Sequence, residues 1–413
     1  MIDIRILRSN PDLVKANCER RGCDVDIDEL HRKDQECVRL VQEAEALRAE
    51  RNRLSKLCRE NPEARGQVKE IKVQIADREA RLGELKTAVD EGLAWLPNFL
   101  DDSVPDGHGD EDNALLRFEG DKPEFSFEPR DHQSLGELLD IIDTARGAKV
   151  AQSGFYYWKG KGAMLAQAMF FWGQRELVDR GFTLFMTPCA AKGNTLFGTG
   201  YLPFFADQTY NLEGEDLALI GTSEQTLVGY HADETLDGAN LPLRYTSFTP
   251  CFRTEAGSYG KETRGIFRVH QFHKVEQIVF CLPDESPKYH EICQENEEFL
   301  LRQLGLPYRV VNVCVGDMGA PGYKKYDIEA WFAGYGGYRE VTSNTNLTDF
   351  QTRRLNIRYK HGKEKGFAHT ISATGLTDRV VCAIMENFQQ EDGTVVVPEV
   401  LRPFTGFDTI EPA

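Results

Sequence analysis

The sequence predicts an α+β fold, in which an antiparallel β-sheet flanked by helices follows an N-terminal antiparallel helical hairpin. Residues 29–91 contain no Phe, Tyr or Trp and repeat apolar residues at heptad spacing, the pattern of a coiled coil. Beyond about residue 110, strand-like stretches such as 308–315 and 394–401 occur together with helical stretches such as 164–181. Short turns between successive strands favour antiparallel pairing.

The hairpin is predicted from apolar rows in each of its two limbs. The rows are Leu30, Cys37 and Ala44 with Leu40, Leu47 and Leu54 in the first limb, and Val68, Ile75, Leu82 and Val89 with Ile71 and Leu85 in the second. Asn61-Pro62 and Gly66 separate the limbs, as a turn between helices should. Each limb then has about 30 residues and a length of about 45 Å.

The predicted tip of the hairpin is basic, although the chain as a whole is acidic. The basic residues are Arg48, Arg51, Arg53, Lys56, Arg59, Arg65, Lys69 and Lys72. Against these eight, residues 48–72 hold four acids, which gives a local charge of +4 in a chain of net charge −17. A cationic tip on a protruding arm predicts contact with phosphate. A solvated, charged coiled-coil face is the alternative interpretation.

Composition and length exclude several classes of protein. With 66 Asp and Glu against 49 Lys and Arg, the sequence does not suit a protein that coats nucleic acid indiscriminately. The sequence contains no run of about 18 apolar residues, so we expect no membrane span, and its N-terminus has no apolar signal core, so we do not expect secretion. The ten cysteines have no repeated spacing, which favours free thiols in the cytoplasm over a disulfide frame or a structural zinc site.

The chain divides into three segments by its texture. Residues 97–130 are rich in Pro, Gly and Asp and show no periodicity, so we interpret them as a connection. We expect a helical arm at 1–100, a linker region at 101–130 and the main domain at 131–413.

Basic residues are concentrated between residues 251 and 276, where five Lys or Arg accompany three acids. Residues 252–255 and 267–276 are predicted to be two strands joined by a Gly-containing loop. Alternation along the second strand places one set of side chains on one face: Arg268, His270, Phe272, Lys274 and Glu276. Cations for phosphate, a ring for stacking and a carboxylate for a second substrate suit a nucleotide site. A solvated, salt-bridged hairpin is the alternative.

Three further clusters carry polar side chains that suit the same chemistry. In residues 221–227, Thr222 and Glu224 would share a face of an extended segment and could hold an ammonium group, although a surface turn is the alternative. Glu340 and Ser343 could coordinate Mg²⁺, which takes oxygen ligands. Arg379 precedes an apolar, helix-forming run and could lie at the start of that helix, beside a ligand.

Together these motifs resemble the seryl-tRNA synthetases, a family of class II aminoacyl-tRNA synthetases. Residues 252–276 resemble the family's motif 2, and residues 374–404 resemble its motif 3. Residues 175–193, with Pro188, resemble motif 1, which is an element of the dimer interface in that family. The stretches GTGYLPFF, LIGTSE, YDIEAW and DFQTRRLNIRY match in order, so the resemblance covers essentially the whole chain.

The resemblance implies a class II catalytic domain behind a tRNA-binding arm, in a cytoplasmic homodimer. The implied reaction is the ATP-dependent activation of L-serine, with Mg²⁺, followed by transfer of the seryl group to the terminal adenosine of tRNA-Ser. The arm would contact the long variable arm of that tRNA. Whether tRNA-Sec is a further substrate stays open.

The resemblance also implies a role for each residue around ATP. Arg253 would bridge the α-phosphate and the serine carboxylate, Glu255 would read the adenine amino group, and Phe272 would stack on adenine. Arg379 would cover the other face near the γ-phosphate, and Arg268 would meet the outer phosphates. The remaining implied ATP contacts are Thr254, Glu340, Val341, Thr342 and Ser343, of which Glu340 and Ser343 would hold Mg²⁺. The residues implied to be catalytic are Arg253, Glu340 and Arg379.

For serine, the resemblance implies a site with two ends. Thr222, Ser223 and Glu224 would take the amino group, while Arg253 would hold the carboxylate. Glu276 and Thr374 would address the side-chain hydroxyl, so a buried carboxylate left unpaired by alanine would provide selectivity.

The sequence departs from the family's usual pattern near the implied serine site. Ser372-Ala373-Thr374 replaces the usual Asn-Gly/Ala-Ser/Thr, residues 375–379 are one residue shorter than the common form, and residues 343–346 read Ser-Asn-Thr-Asn. One alternative is therefore a paralogue that activates serine or a related small amino acid for another acceptor. Another is an inactive interaction protein, which should have lost some of Arg253, Glu255, Glu340 and Arg379.

Overall fold

The computed structural model describes residues 1–57, 61–256 and 265–412, and it divides into two compact units. The first unit is Met1–Phe99 and the second is Leu100–Ala413. Within the described chain, no helix combines the length and the apolar character needed to cross a membrane.

The first unit is helical, and its two long helices confirm the predicted hairpin. Its helices are α1 (Ile4–Ser9), α2 (Pro11–Arg20), α3 (Ile27–Leu57) and α4 (Pro62–Ala94). α3 and α4 are antiparallel, because the earlier Glu36 of α3 pairs with the later Arg81 of α4 at 3.4 Å, whereas Glu43 pairs with Arg78 at 2.8 Å. The predicted turn is only partly right. Asn61 caps α4 through its side chain, but Gly66 lies inside α4 and interrupts nothing.

The predicted apolar rows form the seam between α3 and α4. Leu30, Leu40 and Ala44 are buried on α3, and Ile75 and Val89 are buried on α4. The heptad spacing therefore places one stripe of each helix against the other.

The second unit mixes helices and strands. Its helices are α5 (His132–Leu138), α6 (Thr144–Val150), α7 (Gly160–Asp179), α8 (Gly193–Thr199), α9 (Glu224–Gly229), α10 (Ser286–Gln303), α11 (Phe350–Arg354), α12 (Asp378–Asn387) and α13 (Arg402–Thr405). Its strands are β1 (Ala114–Glu119), β2 (Ile142–Asp143), β3 (Tyr157–Trp158), β4 (Thr183–Phe185), β5 (Ala190–Ala191), β6 (Ala218–Leu219), β7 (Thr235–Asp237), β8 (Leu243–Phe252), β9 (Gln271–Cys281), β10 (Tyr308–Asn312), β11 (Lys324–Phe332), β12 (Gly337–Thr348), β13 (Arg358–His361), β14 (Glu364–Phe367), β15 (His369–Thr377), β16 (Val395–Val396) and β17 (Thr409–Ile410).

The large sheet has the strand order β1-β10-β11-β12-β15-β9-β8-β4. Every neighbouring pair is antiparallel except β4 and β8, so the predicted antiparallel α+β core is confirmed. β1 lies inside the region predicted to be a linker, at the edge of the sheet. In residues 394–401 only Val395–Val396 form a strand, and a 3-10 turn over Glu399–Leu401 follows Pro398.

Helix α10 covers one face of the sheet through both apolar and polar contacts. Cys293 and Leu300 of α10 are completely buried in the main core. On the same side, Glu297 Oε2 accepts a hydrogen bond from Thr342 Oγ1 at 3.1 Å, and Asn296 donates to Gln277 at 2.8 Å. Thr342 of β12 and Gln277 of β9 thus point towards α10. The side chains that alternate with them along each strand point to the opposite face of the sheet, where the candidate site lies.

Candidate active site

A cleft of about 680 Å³ opens on the face of the sheet away from α10. It lies where β12 and β15 separate, because their pairing stops at Asn344 and Ala373 while both strands continue. The residues of the sequence prediction that line it are Arg253, Glu255, Arg268, Phe272, Glu340, Val341, Thr342, Ser343, Thr374 and Arg379. Segments that are far apart in the sequence therefore converge on one cavity, as the nucleotide prediction requires.

A β-bulge in β12 places Glu340 and Ser343 on the same face of the sheet. Residues three apart on a regular strand face opposite sides. Here Ser343 lies opposite Asp327 and Glu340 lies opposite Glu329, so Val341 is the extra residue of the bulge. A carboxylate and a hydroxyl group thus point into the cleft together.

Arg253 lies over the ring of Phe272 within the cleft. The distance from its Cζ to the ring centroid is 5.2 Å. Burial tends to lower the pKa of Arg253, but Tyr201, acidic Glu255 and other nearby groups raise it above its ordinary value. The guanidinium therefore stays cationic in a half-buried position, where a positive charge acts more strongly on a phosphate than it would in open solvent.

Arg379 is held at the start of α12 by backbone and side-chain acceptors. It donates to the carbonyl oxygens of Phe267 and Glu340 at 3.1 and 3.0 Å, and to Glu340 Oε2 at 3.2 Å. Burial acts to raise the pKa of Glu340, but the charges of Arg379 and Lys325 outweigh it and lower that pKa. Glu340 is thus an ionised oxygen donor beside a fixed cation.

Glu255 and Arg268 form an ion pair at the rim of the cleft, with 2.5 Å between Oε2 and Nε. Glu255 has a backbone φ of +51°, which non-glycine residues rarely adopt. Such backbone outliers concentrate at functional sites. The pair thus offers a carboxylate to the amino group of a nucleobase and a guanidinium group to the phosphates of a nucleotide.

A second, buried group of polar residues adjoins the cleft, and we call it the acid pocket: Tyr201, Thr222, Glu224, Lys274, Glu276 and Gln351. Thr222 Oγ1 donates to Glu276 Oε2 at 2.7 Å, and Lys274 Nζ pairs with the same oxygen. Thr374 lies directly opposite Glu276 on β15 and lines the cleft. Lys274 also lines the cleft, so it connects the two sites.

Glu224 lies at the far end of the acid pocket and is almost fully buried. Gln351 donates to its Oε1 at 2.5 Å, and the Tyr201 hydroxyl donates to its Oε2 at 3.3 Å. Burial, and then the charge of Glu276, raises the pKa of Glu224. An incoming ammonium group would relieve both effects, so this carboxylate is suited to bind one.

Comparisons with known proteins match both units of the chain. Residues 1–100 match the Seryl-tRNA synthetase N-terminal domain, and residues 208–388 match the tRNA synthetase class II core domain (G, H, P, S and T). The chain is 44% identical to the serine–tRNA ligase of Clavibacter michiganensis subsp. michiganensis, over 100% of this chain and 99% of that protein. It is 42% identical to the serine–tRNA ligase of Rubrobacter xylanophilus, with 100% of both chains covered. The chain belongs to the seryl-tRNA synthetase family.

Solved structures agree with this assignment. The crystal structure of seryl-tRNA synthetase from Pyrococcus horikoshii complexed with ATP has a TM-score of 0.96 and 40% identity, with 100% of both chains covered. The cytoplasmic serine–tRNA ligase of Naegleria fowleri in complex with AMP has a TM-score of 0.91 and 31% identity, over 100% of this chain and 99% of that one. The resemblance to the seryl-tRNA synthetase family drawn from the motifs is confirmed.

Several local predictions for this member of the seryl-tRNA synthetase family are wrong. Strand β8 ends at Phe252 and β9 begins at Gln271, so the strands do not extend to 255 or back to 267. His270 does not face the cleft, because it stacks on Phe155 at 5.5 Å. Thr254 does not line the cleft either, since its hydroxyl donates to the Asp207 carbonyl.

The predicted extended segment at 221–227 is also wrong. Thr222 and Ser223 form a turn, and α9 begins at Glu224. The hydroxyl of Thr222 accepts from the Glu224 backbone N–H at 3.2 Å, so the turn still brings both side chains into the acid pocket. Ser223 Oγ is buried and has no hydrogen-bond partner within the described chain.

Sequence reasoning missed the residues that hold the acid pocket in place. Tyr201 and Gln351 bind Glu224 but lie far from it in the sequence, so no local pattern could indicate the contact. Ser372, one of the residues that depart from the family's usual pattern, also donates to Glu224 and lowers the pKa that burial raises.

The predicted basic tip is partly neutralised within the arm. Arg53 pairs with Glu50 at 2.6 Å, and Arg48 pairs with Glu79 at the same distance. Arg51 donates to the neighbouring Asn52. Lys56, Arg65, Lys69 and Lys72 are exposed, and Arg59 lies outside the described residues. The exposed lysines are therefore the main cations available for a phosphate contact.

Metal ligation in the described chain rests on few residues. No group of three or more His, Cys, Asp and Glu side chains there is placed to hold an ion. Glu340 and Ser343 together provide a carboxylate and a hydroxyl oxygen on one face of the sheet. This pair of donors suits a Mg²⁺ ion whose other ligands are phosphates and water.

Proposed function

We propose that the protein is a serine–tRNA ligase that activates L-serine with ATP and then esterifies the terminal adenosine of tRNA-Ser. One observation carries this proposal: Arg253 and Phe272 in the cleft adjoin a buried pocket that contains Glu224 and Glu276. A cation–aromatic pair suits a nucleotide, and two buried carboxylates suit the amino group and hydroxyl of serine. Family membership supports the same reaction.

In the first step, the serine carboxylate attacks the α-phosphate in line, a P–O bond to the carboxylate forms, and pyrophosphate leaves. Little covalent chemistry is required of the protein, so the rate depends on positioning and charge neutralisation. Arg253 can contact both reacting groups, because it lies between the acid pocket and the rest of the cleft. Its fixed charge would stabilise the extra negative charge of the transition state.

The nucleotide would occupy the cleft between cationic side chains. Phe272 offers its ring to adenine, and Arg379 closes the other side from α12. Glu255 and Arg268 would exchange their mutual ion pair for the adenine amino group and the outer phosphates. Glu340 and Ser343 would hold Mg²⁺, which when bound neutralises phosphate charge.

Serine would enter the acid pocket with its ammonium group at Glu224. Thr222 and Ser223 lie beside that carboxylate, and Ser223 Oγ has no hydrogen-bond partner among the described residues. The hydroxyl would meet Glu276 and Thr374, which lie opposite each other. Alanine would leave the buried Glu276 without that donor, which costs more than the lost contact alone.

We also propose a homodimer and an arm that binds tRNA. Helix α7 exposes Met164, Phe171 and Val178 at seven-residue spacing, and Leu184 and Met186 follow, the last 99% exposed. Large apolar side chains exposed in this number are typical of a subunit interface. A cytoplasmic location and the division into arm 1–100, linker 101–130 and catalytic domain 131–413 are part of the same proposal, which leaves open whether tRNA-Sec is a further substrate.

Amino-acid-dependent pyrophosphate exchange tests the proposal. We expect exchange with serine and much less with threonine, alanine or glycine. Arg253→Ala should abolish exchange while tRNA binding stays measurable, and Arg146→Ala, on exposed α6, is the matched control that should keep both. Exchange with serine but no charging of tRNA-Ser would indicate a paralogue with another acceptor. No exchange with any amino acid would contradict the enzyme proposal.

A further inference from the structure

Two cysteines meet at the C-terminal end of α2. The Cys23 N–H donates to the Cys18 carbonyl at 2.8 Å, and the Gly22 N–H donates to the Glu19 carbonyl at 3.2 Å. Gly22 has a φ of +60°, which a glycine adopts without strain. These two bonds and the left-handed glycine define a Schellman motif, which brings the side chains on either side of the turn into contact. In this chain both of those side chains are thiols.

The two thiols differ in their surroundings. Cys18 is 2% exposed, whereas Cys23 is half-buried and reaches the surface. They share a hydrogen bond, and Cys23 Sγ also lies 3.6 Å from the Trp95 carbonyl oxygen. The more accessible sulfur is therefore in direct contact with a protected one.

Electrostatics favours ionisation of the accessible sulfur. The hydrogen bond from the Cys18 thiol lowers the pKa of Cys23 to about 6, with help from the Val25 backbone and from Arg21, against the opposing effect of burial. The same contact, together with burial, raises the pKa of Cys18. A thiolate is the nucleophilic form of cysteine, so the surface sulfur is the reactive one.

We propose that Cys18 and Cys23 form a peroxide-sensitive dithiol, in which Cys23 is oxidised first and Cys18 resolves it into a disulfide. The Cys23 thiolate attacks one oxygen of hydrogen peroxide, an S–O bond forms, the O–O bond breaks, and hydroxide leaves. The Cys18 sulfur then attacks the Cys23 sulfur, the S–S bond forms, the S–O bond breaks, and hydroxide leaves again with the thiol proton as water. Two thiols and one peroxide become one disulfide and two waters.

Three of the other described cysteines lack this arrangement. Burial raises the pKa of Cys37 in the same unit, and of Cys251 and Cys281 in the second unit. Each is buried and without a bonded second thiol among the described residues. The proposal is independent of the proposed function, because no group of the cleft or the acid pocket takes part.

The sequence allows a direct assay. Trypsin cleaves after Arg20 and Arg21, between the two cysteines, so the disulfide would join peptides 16–20 and 22–32. The full-length protein is treated with hydrogen peroxide, free thiols are blocked with N-ethylmaleimide, and the digest is analysed by mass spectrometry with and without dithiothreitol. We expect the joined pair after peroxide, its disappearance after dithiothreitol, and an unchanged result in Cys37→Ser.

Two variants separate the roles of the thiols. In Cys18→Ser the hydroxyl can still donate but cannot form the bridge, so Cys23 should accumulate as a sulfenic acid that dimedone traps. In Cys18→Ala alkylation of Cys23 at pH 7 should slow by about tenfold, because its thiolate loses its main hydrogen bond. Circular dichroism confirms that both variants fold. Unlinked peptides with Cys23 reduced, or a bridge from Cys23 to another cysteine, would overturn the proposal.

Discussion

Glu276→Gln is the substitution that most directly tests the acid pocket. It keeps the shape of the side chain and removes its charge. Glu276 is 1% exposed, and its Oε2 is bound by Thr222 and paired with Lys274. A hydrogen bond to a buried charged group contributes about 1.5–3 kcal/mol. At about 1.4 kcal/mol for each factor of ten, kcat/KM for serine should fall by about 10- to 100-fold.

The assay is pyrophosphate exchange with serine and with alanine at a fixed ATP concentration. Alanine has no hydroxyl group, so its slow exchange should change little. The ratio of kcat/KM for serine to kcat/KM for alanine should therefore fall by the same factor, about 10- to 100-fold. Glu297→Gln is a matched control, because Glu297 is completely buried on the opposite face of the sheet and burial raises its pKa well above the ordinary value. A protonated glutamate already resembles glutamine, so this change should leave discrimination intact.

Two results would refute the reasoning. If Glu276→Gln left the serine-to-alanine ratio unchanged, the hydroxyl would have another partner. If Glu297→Gln lowered the ratio equally, the effect would arise from disturbance of the sheet rather than from contact with serine.

Three other predictions concern the arm, the core and the subunit interface. Lys69→Glu with Lys72→Glu should raise KM for tRNA by about tenfold and reduce the salt dependence of tRNA binding, with KM for serine and ATP unchanged; an unaltered tRNA KM would exclude these lysines from the contact. Burial lowers the pKa of His290 to about 4, whereas an unfolded histidine titrates near 6.5, so stability should fall as pH drops from about 6.5 through 4 by up to about 3 kcal/mol. Urea titrations across that range should show a shallower fall for His290→Gln. Phe171→Asp, on the exposed face of α7, should give a monomer by light scattering where the unaltered chain is a dimer.

The global fold could be predicted because its patterns are local. Heptad spacing identifies both limbs of the hairpin, since one stripe of each helix is buried. Strand β1 was missed because its residues Leu115–Glu119 are all exposed, so no alternation distinguishes it from a linker. Gly66 was misread because an exposed glycine with nothing near it can stay helical at modest cost.

For the candidate site, the sequence could predict which residues take part but not how they are arranged in space. The motifs identify Arg253, Glu276 and Glu340, but periodicity does not indicate that β8 ends as early as Phe252 or that β9 begins as late as Gln271. Contacts such as Thr222 with Glu276 join residues 54 positions apart, and a sequence contains no signal for such a pair without its fold.

The bulge at Val341 also ties the sheet to α12. Because β15 no longer pairs with this part of β12, the carbonyl of Val341 accepts from Thr377 Oγ1 at 2.9 Å, and the carbonyl of Glu340 accepts from Arg379. Deleting Val341 would leave Glu340 and Ser343 opposite their present neighbours and make the ladder more regular. The deletion would also remove the carbonyl group that Thr377 binds. We therefore expect the variant to have a more regular β12 but a lower catalytic activity.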